Sequence, residues 1–201
     1  MEEVAAGVHH WSAIHPSTGG RAHSHLLEDS RTVLDPMVDD DLLAALRARP
    51  PERVVLTNRH HWRQADRLVA EFGCPVLCPE PGRHEFAGDD SRRVQPYSYG
   101  DRLAPGVLAQ EFAAICPDDA ALQIAAGDGF LAFADGLVHR DGELGFVSDG
   151  LLGDDPERIK RDLVAGLERL VELDFDGLLF AHGAPIAHGG REALREFLTE
   201  F

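Results

Sequence analysis

The sequence predicts an α/β protein (α+β in some classification schemes) in which layered β-sheets are covered by helices. Two observations favour this fold class. Apolar strand patterns alternate along the chain with segments whose apolar residues repeat at helical spacing. The segment from Arg53 to Leu77 also has the strand–helix–strand order of a β-α-β unit. With 201 residues and 44% hydrophobic content, we expect one domain over residues 1–201.

The predicted strands are apolar or alternating runs bounded by turn residues. Glu28-Asp29-Ser30 is expected to turn an early hairpin, and Gly127-Asp128-Gly129 a later one. The predicted strands span residues 8–14, 23–27, 31–34, 53–57, 76–77, 107–112, 120–125, 130–134 and 177–181.

The predicted helices carry recognisable start and stop residues. Pro50-Pro51 ends the first helix, and Gly73 ends the second. Asp155 is a suitable N-cap for the third, with Pro156 at its first position. The predicted helices span residues 39–49, 62–72, 156–173 and 191–201. Residues 79–105, rich in Pro, Gly, Arg and Asp, are predicted to be mostly loop.

The composition argues against nucleic-acid and membrane partners. Acidic residues number 35 and basic residues 19, giving a net charge of −16 that repels phosphate backbones and anionic bilayers. Met1-Glu2-Glu3 lacks the basic and apolar parts of a secretory signal. Cys74, Cys78 and Cys116 are expected to be reduced thiols. We therefore expect a cytoplasmic protein whose partner is a small molecule.

Three predicted strands end in residues that can bind a metal ion. The segment Asn58 to Arg63 follows one strand, Asp135 follows another, and His182 follows a third. Two imidazoles and one carboxylate form a recognised transition-metal ligand set. The alternative is that three unrelated polar residues end these strands. Spacing alone leaves both interpretations open.

The order of these motifs resembles the metallo-β-lactamase fold superfamily. Thr57-x-x-His60 before a helix, then Ala134-Asp135-Gly136 and Ala181-His182-Gly183, follow the superfamily's motif order. An early hairpin ending at Asp35-Pro36 also matches, so the resemblance extends from about residue 8 to 200. It implies a four-layer αββα sandwich with a site along one edge between the sheets.

The superfamily's ligands transfer only in part. Its signature is Thr-His-x-His-x-Asp-His, and three of seven ligand positions keep a ligand-type residue here, namely His60, Asp135 and His182. The other four positions hold Asn58, Trp62, Arg63 and Ile115. A guanidinium and an indole do not ligate metals, and a buried arginine repels a divalent ion. The resemblance therefore implies at most one metal ion.

Other histidines could complete a reduced site. His61 adjoins His60, and His23 and His25 alternate on one predicted strand and so share a face. We expect either one divalent ion (zinc, iron or manganese) on His60, Asp135, His182 and one of these histidines, or no metal.

Two functions are compatible with these residues. The first is a metal-dependent hydrolase in which Arg63 and Asn58 bind an anionic substrate. The second is a non-catalytic, metal-free relative that binds a small anion or a protein partner, with Arg63 paired to Asp135. The sequence does not choose between them.

Overall fold

The computed structural model describes all 201 residues. Its strands are β1 (Glu2–Ala5), β2 (Val8–Ile14), β3 (Arg21–Leu27), β4 (Thr32–Leu34), β5 (Arg53–Val55), β6 (Val76–Pro79), β7 (Val94–Tyr97), β8 (Arg102–Ala104), β9 (Val107–Glu111), β10 (Ala120–Ile124), β11 (Phe130–Phe133), β12 (Val138–Arg140), β13 (Glu143–Gly145) and β14 (Gly177–Phe180). The α-helices are α1 (Asp40–Leu46), α2 (Ala65–Phe72), α3 (Pro156–Leu170) and α4 (Gly190–Leu198). Short 3₁₀ turns span Arg59–Trp62, Glu80–Phe86 and Asp149–Leu151.

Two sheets organise the chain. The first has seven strands in the order β1-β2-β3-β4-β5-β6-β7, and the second has five in the order β14-β11-β10-β9-β8. Strands β12 and β13 form a separate two-stranded ribbon. Strands β5 and β6 pair in parallel, and α2 connects them along the chain. This confirms the predicted β-α-β unit.

Successive residues of the central strands pack on opposite faces, which produces four layers. Val54 packs with helices α1 and α2, whereas Val55 packs between the sheets. In the second sheet, Leu178 packs with α3 and α4, and Leu179 packs between the sheets. Full burial of each such side chain stabilises the fold by about 1.5–3 kcal/mol. The predicted α/β class and αββα layering are confirmed.

The structure differs from the sequence prediction mainly in the middle of the chain. Residues 79–105, expected to be mostly loop, contain a 3₁₀ turn and strands β7 and β8. Strand β7 is an edge strand, a position in which a proline without a backbone N–H is tolerated, as at Pro96. Strands β1, β12 and β13 were also not predicted. None of the helices is long and apolar enough to cross a membrane.

The second predicted helix begins later than expected. Instead of starting at Trp62, the chain forms a 3₁₀ turn over Arg59–Trp62 and breaks at Arg63, whose φ is +46°. Helix α2 then begins at Ala65 and ends at Gly73, which caps it with φ +68° as predicted.

Candidate metal centre

Strand ends from both sheets meet at one edge of the sandwich. Phe133 of β11 pairs with Phe180 of the parallel strand β14. Asp135 and His182 each lie two residues after this pair, so they leave the sheet side by side. The segment after β5 in the other sheet approaches from across the interface, where Asn58 bonds to Asp135. The predicted convergence of Asn58 to Arg63 with Asp135 and His182 is therefore present in the structure.

The 3₁₀ turn selects His61 for the interior. Asn58 caps the turn by accepting a hydrogen bond from the backbone N–H of His60 at 2.9 Å. The backbone is kinked at His61, whose φ of −91° and ψ of 19° are not helical. Asn58 and His61 face inward and are buried, whereas His60 is exposed. The structure brings together Asp135 and His182 of the predicted ligand set but places His61 where His60 was expected.

Three ligand atoms converge in this arrangement. His61 Nε2 lies 3.3 Å from Asp135 Oδ1, and His182 Nε2 lies 2.9 Å from the same oxygen. All three atoms lie within 4.8 Å of one another. Since zinc–ligand bonds are roughly 2.0–2.2 Å long, ligands of one ion are spaced by about 3.0–3.5 Å. The donor set and its spacing fit one transition-metal ion.

Asp35 orients His61 from behind. Its Oδ1 accepts the backbone N–H of Thr57 at 2.8 Å, and its Oδ2 accepts the Thr57 hydroxyl at 2.6 Å. The same Oδ2 lies 3.2 Å from His61 Nδ1. A carboxylate bonded to one imidazole nitrogen leaves the other nitrogen free to bind a metal. Asp35, which ends the predicted first hairpin, therefore belongs to the site.

Asn58 holds the carboxylate of Asp135. Its amide Nδ2 donates to Asp135 Oδ2 at 2.8 Å and to Asp119 Oδ1 at 3.3 Å. Its Oδ1 accepts a hydrogen bond from the backbone N–H of His60. Asn58 is fully buried, so it has no group to offer the substrate for which the sequence suggested it. The geometry gives it a positioning role.

Sequence reasoning did not find Asp118 and Asp119. Both are fully buried: Asp118 pairs with Arg59, and Asp119 Oδ1 accepts the backbone N–H of Asp135 at 3.2 Å. They precede β10, which runs antiparallel to β11, so the start of β10 lies at the same edge as the end of β11. Two adjacent acidic residues before a buried strand were the available signal. Ile115, at one of the superfamily's ligand positions that hold no ligand-type residue here, lines the neighbouring cavity.

Arg63 is bonded to backbone rather than to Asp135. Its Nη1 donates to the carbonyl oxygens of His23 at 2.7 Å and Asp35 at 2.8 Å. Its Nη2 donates to the carbonyl oxygen of Ala181 at 3.2 Å. These bonds link the two sheets beside the site. They leave little of the guanidinium for the substrate anion or the Asp135 pairing that the sequence suggested.

The electrostatics of the site centre on His61. Burial opposes the charged form of His61, but the Asp35 and Asp135 carboxylates outweigh it and raise its pKa to about 9. Burial likewise opposes ionisation of Asp135, yet His61 and His182 hold the pKa of that carboxyl well below its usual range. Burial and Asp135 raise the pKa of Asp119 to about 7. Burial lowers the pKa of His182. The negative charge facing the imidazoles is therefore carried mainly by Asp135.

His23 and His25 lie on β3, outside the converged ligand atoms. His23 Nδ1 is 2.9 Å from Nε2 of His10, and these two rings stack. His25 is buried and its Nε2 has no hydrogen-bond partner. Neither completes the set formed by His61, Asp135 and His182.

The site opens on one side to a cavity of about 580 Å³. The side chain of His61 is 5% exposed, whereas those of Asp135 and His182 are 27% and 31% exposed. A small molecule in the cavity could therefore reach the open side of the three ligand atoms. A metal ion held there would have a coordination position facing that cavity, as catalytic metal sites require.

Comparisons with known proteins identify the fold. No protein-family model and no curated protein matches the sequence. Among solved structures, the archaeal metallo-beta-lactamase superfamily protein ST1585 from Sulfolobus tokodaii matches with a TM-score of 0.69 and 14% identity, covering 98% of this chain and 86% of that one. The metallo-beta-lactamase family protein TTHA1429 from Thermus thermophilus matches with a TM-score of 0.64 and 15% identity, covering 96% and 79%. TTHA1623, solved in a di-iron-bound form, matches with a TM-score of 0.65 and 22% identity, covering 86% and 92%. The predicted fold is confirmed.

Proposed function

We propose, from the metallo-β-lactamase fold of this chain, that it is a hydrolase holding one divalent ion (zinc, iron or manganese) on His61, Asp135 and His182. The observation that carries this proposal is the meeting of these ligand atoms at 2.9 and 3.3 Å around Asp135 Oδ1. A metal held there would supply Lewis-acid activation of water and of the bond to be hydrolysed.

The chain's own residues prepare this site. Asp35 fixes the ring of His61, and Asn58 occupies the second oxygen of Asp135. Only Oδ1 of Asp135 then faces the two imidazoles. The fold neighbours include di-iron-bound and class B3 di-zinc structures. Trp62 and Arg63, at two positions of the superfamily's signature, supply no ligand for a second ion here.

Metal analysis of untagged protein tests the proposal. We expect about one ion per chain in the wild type, the number a single ligand set can hold. The variant His61→Ala should lose this metal, whereas His60→Ala, which removes an adjacent but exposed histidine, should keep it. Hydrolysis of simple ester or phosphoester substrates should disappear with the metal and return when it is added back. Wild-type protein that is folded and metal-free, with a stability unchanged by chelator, contradicts the proposal.

One observation favours a second candidate function, a metal-free binding protein. His61 lies between Asp35 and Asp135, and its raised pKa of about 9 lets an imidazolium supply the positive charge between them. In that case the same metal analysis gives no metal and His61→Ala destabilises the fold. A small-molecule ligand would then bind in the cavity without being hydrolysed.

We also propose a cytoplasmic location. All three cysteines are free thiols, and the cytoplasm keeps thiols reduced. Cell fractionation that recovers the protein outside the cytoplasm contradicts this assignment.

A further inference from the structure

The cavity beside the metal ligands has the opposite charge to the rest of the molecule. The chain carries 35 acidic and 19 basic residues. The cavity is nevertheless lined by four arginines and only one carboxylate, Asp135. The arginines are Arg21, Arg59, Arg63 and Arg140. A lining with four arginines and one carboxylate, in a chain with an excess of carboxylates, favours an anionic ligand.

Two of these arginines are free to meet a ligand. Arg59 is paired with the buried Asp118, and Arg63 is bonded to three backbone carbonyl oxygens. Arg21 donates only to the hydroxyl of Ser12, at 3.0 Å, and is exposed. Arg140, on β12, is exposed and forms no ion pair or side-chain hydrogen bond.

Free guanidinium groups are a minority in this molecule. Twelve of the nineteen basic residues form ion pairs with carboxylates. Arg21 and Arg140 are thus unpaired in a chain with an excess of carboxylates, and both line the same cavity. A guanidinium group matches the geometry of a carboxylate or phosphate oxyanion.

The same cavity also has apolar walls. Ile115, Val147 and Leu151 line it. Leu151 is 65% exposed, the largest exposed fraction among the large hydrophobic residues. An exposed leucine at a cavity gains free energy when an apolar group of a ligand covers it. The cavity therefore suits a molecule with both an anionic and an apolar part.

We propose that Arg21 and Arg140 bind the oxyanion of an amphipathic organic substrate, whose apolar body lies against Ile115, Val147 and Leu151. The oxyanion is a carboxylate or phosphate group, the shared chemistry that a guanidinium recognises. This assignment rests on the proposed function only in that the bond to be hydrolysed lies beside His61, Asp135 and His182. Binding itself requires no metal.

Calorimetric titration with four probes tests the assignment. Phenylacetate and phenyl phosphate carry both parts, 2-phenylethanol lacks the charge, and inorganic phosphate lacks the apolar body. The proteins compared are the wild type, Arg21→Gln, Arg140→Gln and the control Arg161→Gln. Arg161 is also exposed and unpaired but lies on α3, away from the cavity.

We expect the aromatic anions to bind at least about tenfold more tightly than either partial probe, since charge and apolar contact both contribute. Arg21→Gln and Arg140→Gln should each weaken the binding of the aromatic anions by about five- to twentyfold, and Arg161→Gln should not. Salt should weaken this binding in the wild type. Whether phenylacetate or phenyl phosphate binds more tightly identifies the oxyanion.

Two results overturn the assignment. The first is that both glutamine variants bind the aromatic anions as tightly as the wild type does. If that binding is lost only in Asp135→Ala, the anion lies on the metal and not on the arginines. The second is that 2-phenylethanol or inorganic phosphate binds the wild type as tightly as the aromatic anions do. A metal-free wild type that still binds the aromatic anions in an arginine-dependent way contradicts the hydrolase but supports this subsite.

Discussion

The imidazole of His61 lies with Nε2 3.3 Å from Oδ1 of Asp135. On the other side of the ring, Nδ1 lies 3.2 Å from Oδ2 of Asp35. A ring held at both nitrogens cannot rotate freely, so His61 presents Nε2 in a fixed direction toward Asp135 and His182. This arrangement supports the proposed metal site, and each residue around it has a separable role.

Replacing Asp35 with asparagine tests the orientation of His61. Asparagine tolerates the positive φ of +46° at this position. Its amide oxygen can still accept the Thr57 N–H, which leaves its NH₂ group facing His61 Nδ1. A donor at this place favours an accepting Nδ1 and a proton on Nε2, which competes with the metal; the Thr57 hydroxyl, 3.0 Å from Nδ1, still offers an acceptor for the other tautomer. We expect a metal affinity about 10–100-fold lower by competition with a chelating dye. Asp66→Asn, an exposed change on α2, is the control; an equal loss in both variants contradicts the role of Asp35.

Replacing Asn58 with alanine tests how Asp135 is held. The change leaves Asp135 Oδ2 and Asp119 without their amide donor. We expect the free energy of unfolding to fall by about 1–3 kcal/mol and metal affinity to fall with it. Gln110→Ala, which breaks the Gln110–Gln123 hydrogen bond on the second sheet, should affect stability alone. Urea unfolding and metal titration of both variants separate the two effects. Unchanged metal affinity in Asn58→Ala would show that Asp135 needs no support.

Much of the fold was predictable because its central strands are apolar on both faces. Leu178 and Leu179 pack on opposite sides of β14, and such continuous apolar runs are visible in the sequence. Short or polar strands gave no comparable signal. Strand β7 has only Tyr97 buried and contains Pro96, and β12 and β13 are three residues each.

The meeting of side chains at this edge was predictable only where a residue directly follows a parallel strand. Asp135 and His182 do so, and the structure places their side chains 2.9 Å apart. The choice between His60 and His61 depended on the phase of a four-residue 3₁₀ turn, which apolar periodicity does not reveal. Asp119 was missed because it precedes an antiparallel strand, and its position at the same edge depends on strand pairing.

Arg63 is expected to act on stability more than on ligand binding. Its guanidinium joins the carbonyl oxygens of His23, Asp35 and Ala181. A lysine has one nitrogen and cannot make the same planar fork. We expect Arg63→Lys to lower the free energy of unfolding by about 2–4 kcal/mol. The control Arg161→Lys should leave the free energy of unfolding nearly unchanged. Thermal and urea unfolding measure this difference. Wild-type stability in Arg63→Lys would contradict the structural role.

His23 makes stability depend on pH. Burial, with His10, His182 and nearby arginines adding repulsion, lowers the pKa of His23 to about 4. In the unfolded state the pKa of His23 is about 6.5, so the unfolded state binds this proton more readily. Stability is therefore full above pH 6.5 and falls as the pH drops toward 4, by about 1–3 kcal/mol. His23→Gln should flatten urea-unfolding stability over this window, and the exposed His84→Gln should not. The same slope in both variants would assign the dependence to other groups.

Anomalous X-ray diffraction from crystals of untagged protein, recorded above and below the absorption edge of the metal found by elemental analysis, tests the central claim most directly. The proposed site predicts one anomalous peak per chain, about 2.0–2.2 Å from His61 Nε2, Asp135 Oδ1 and His182 Nε2. Well-ordered crystals with no peak there, or a peak centred on His60, would contradict it.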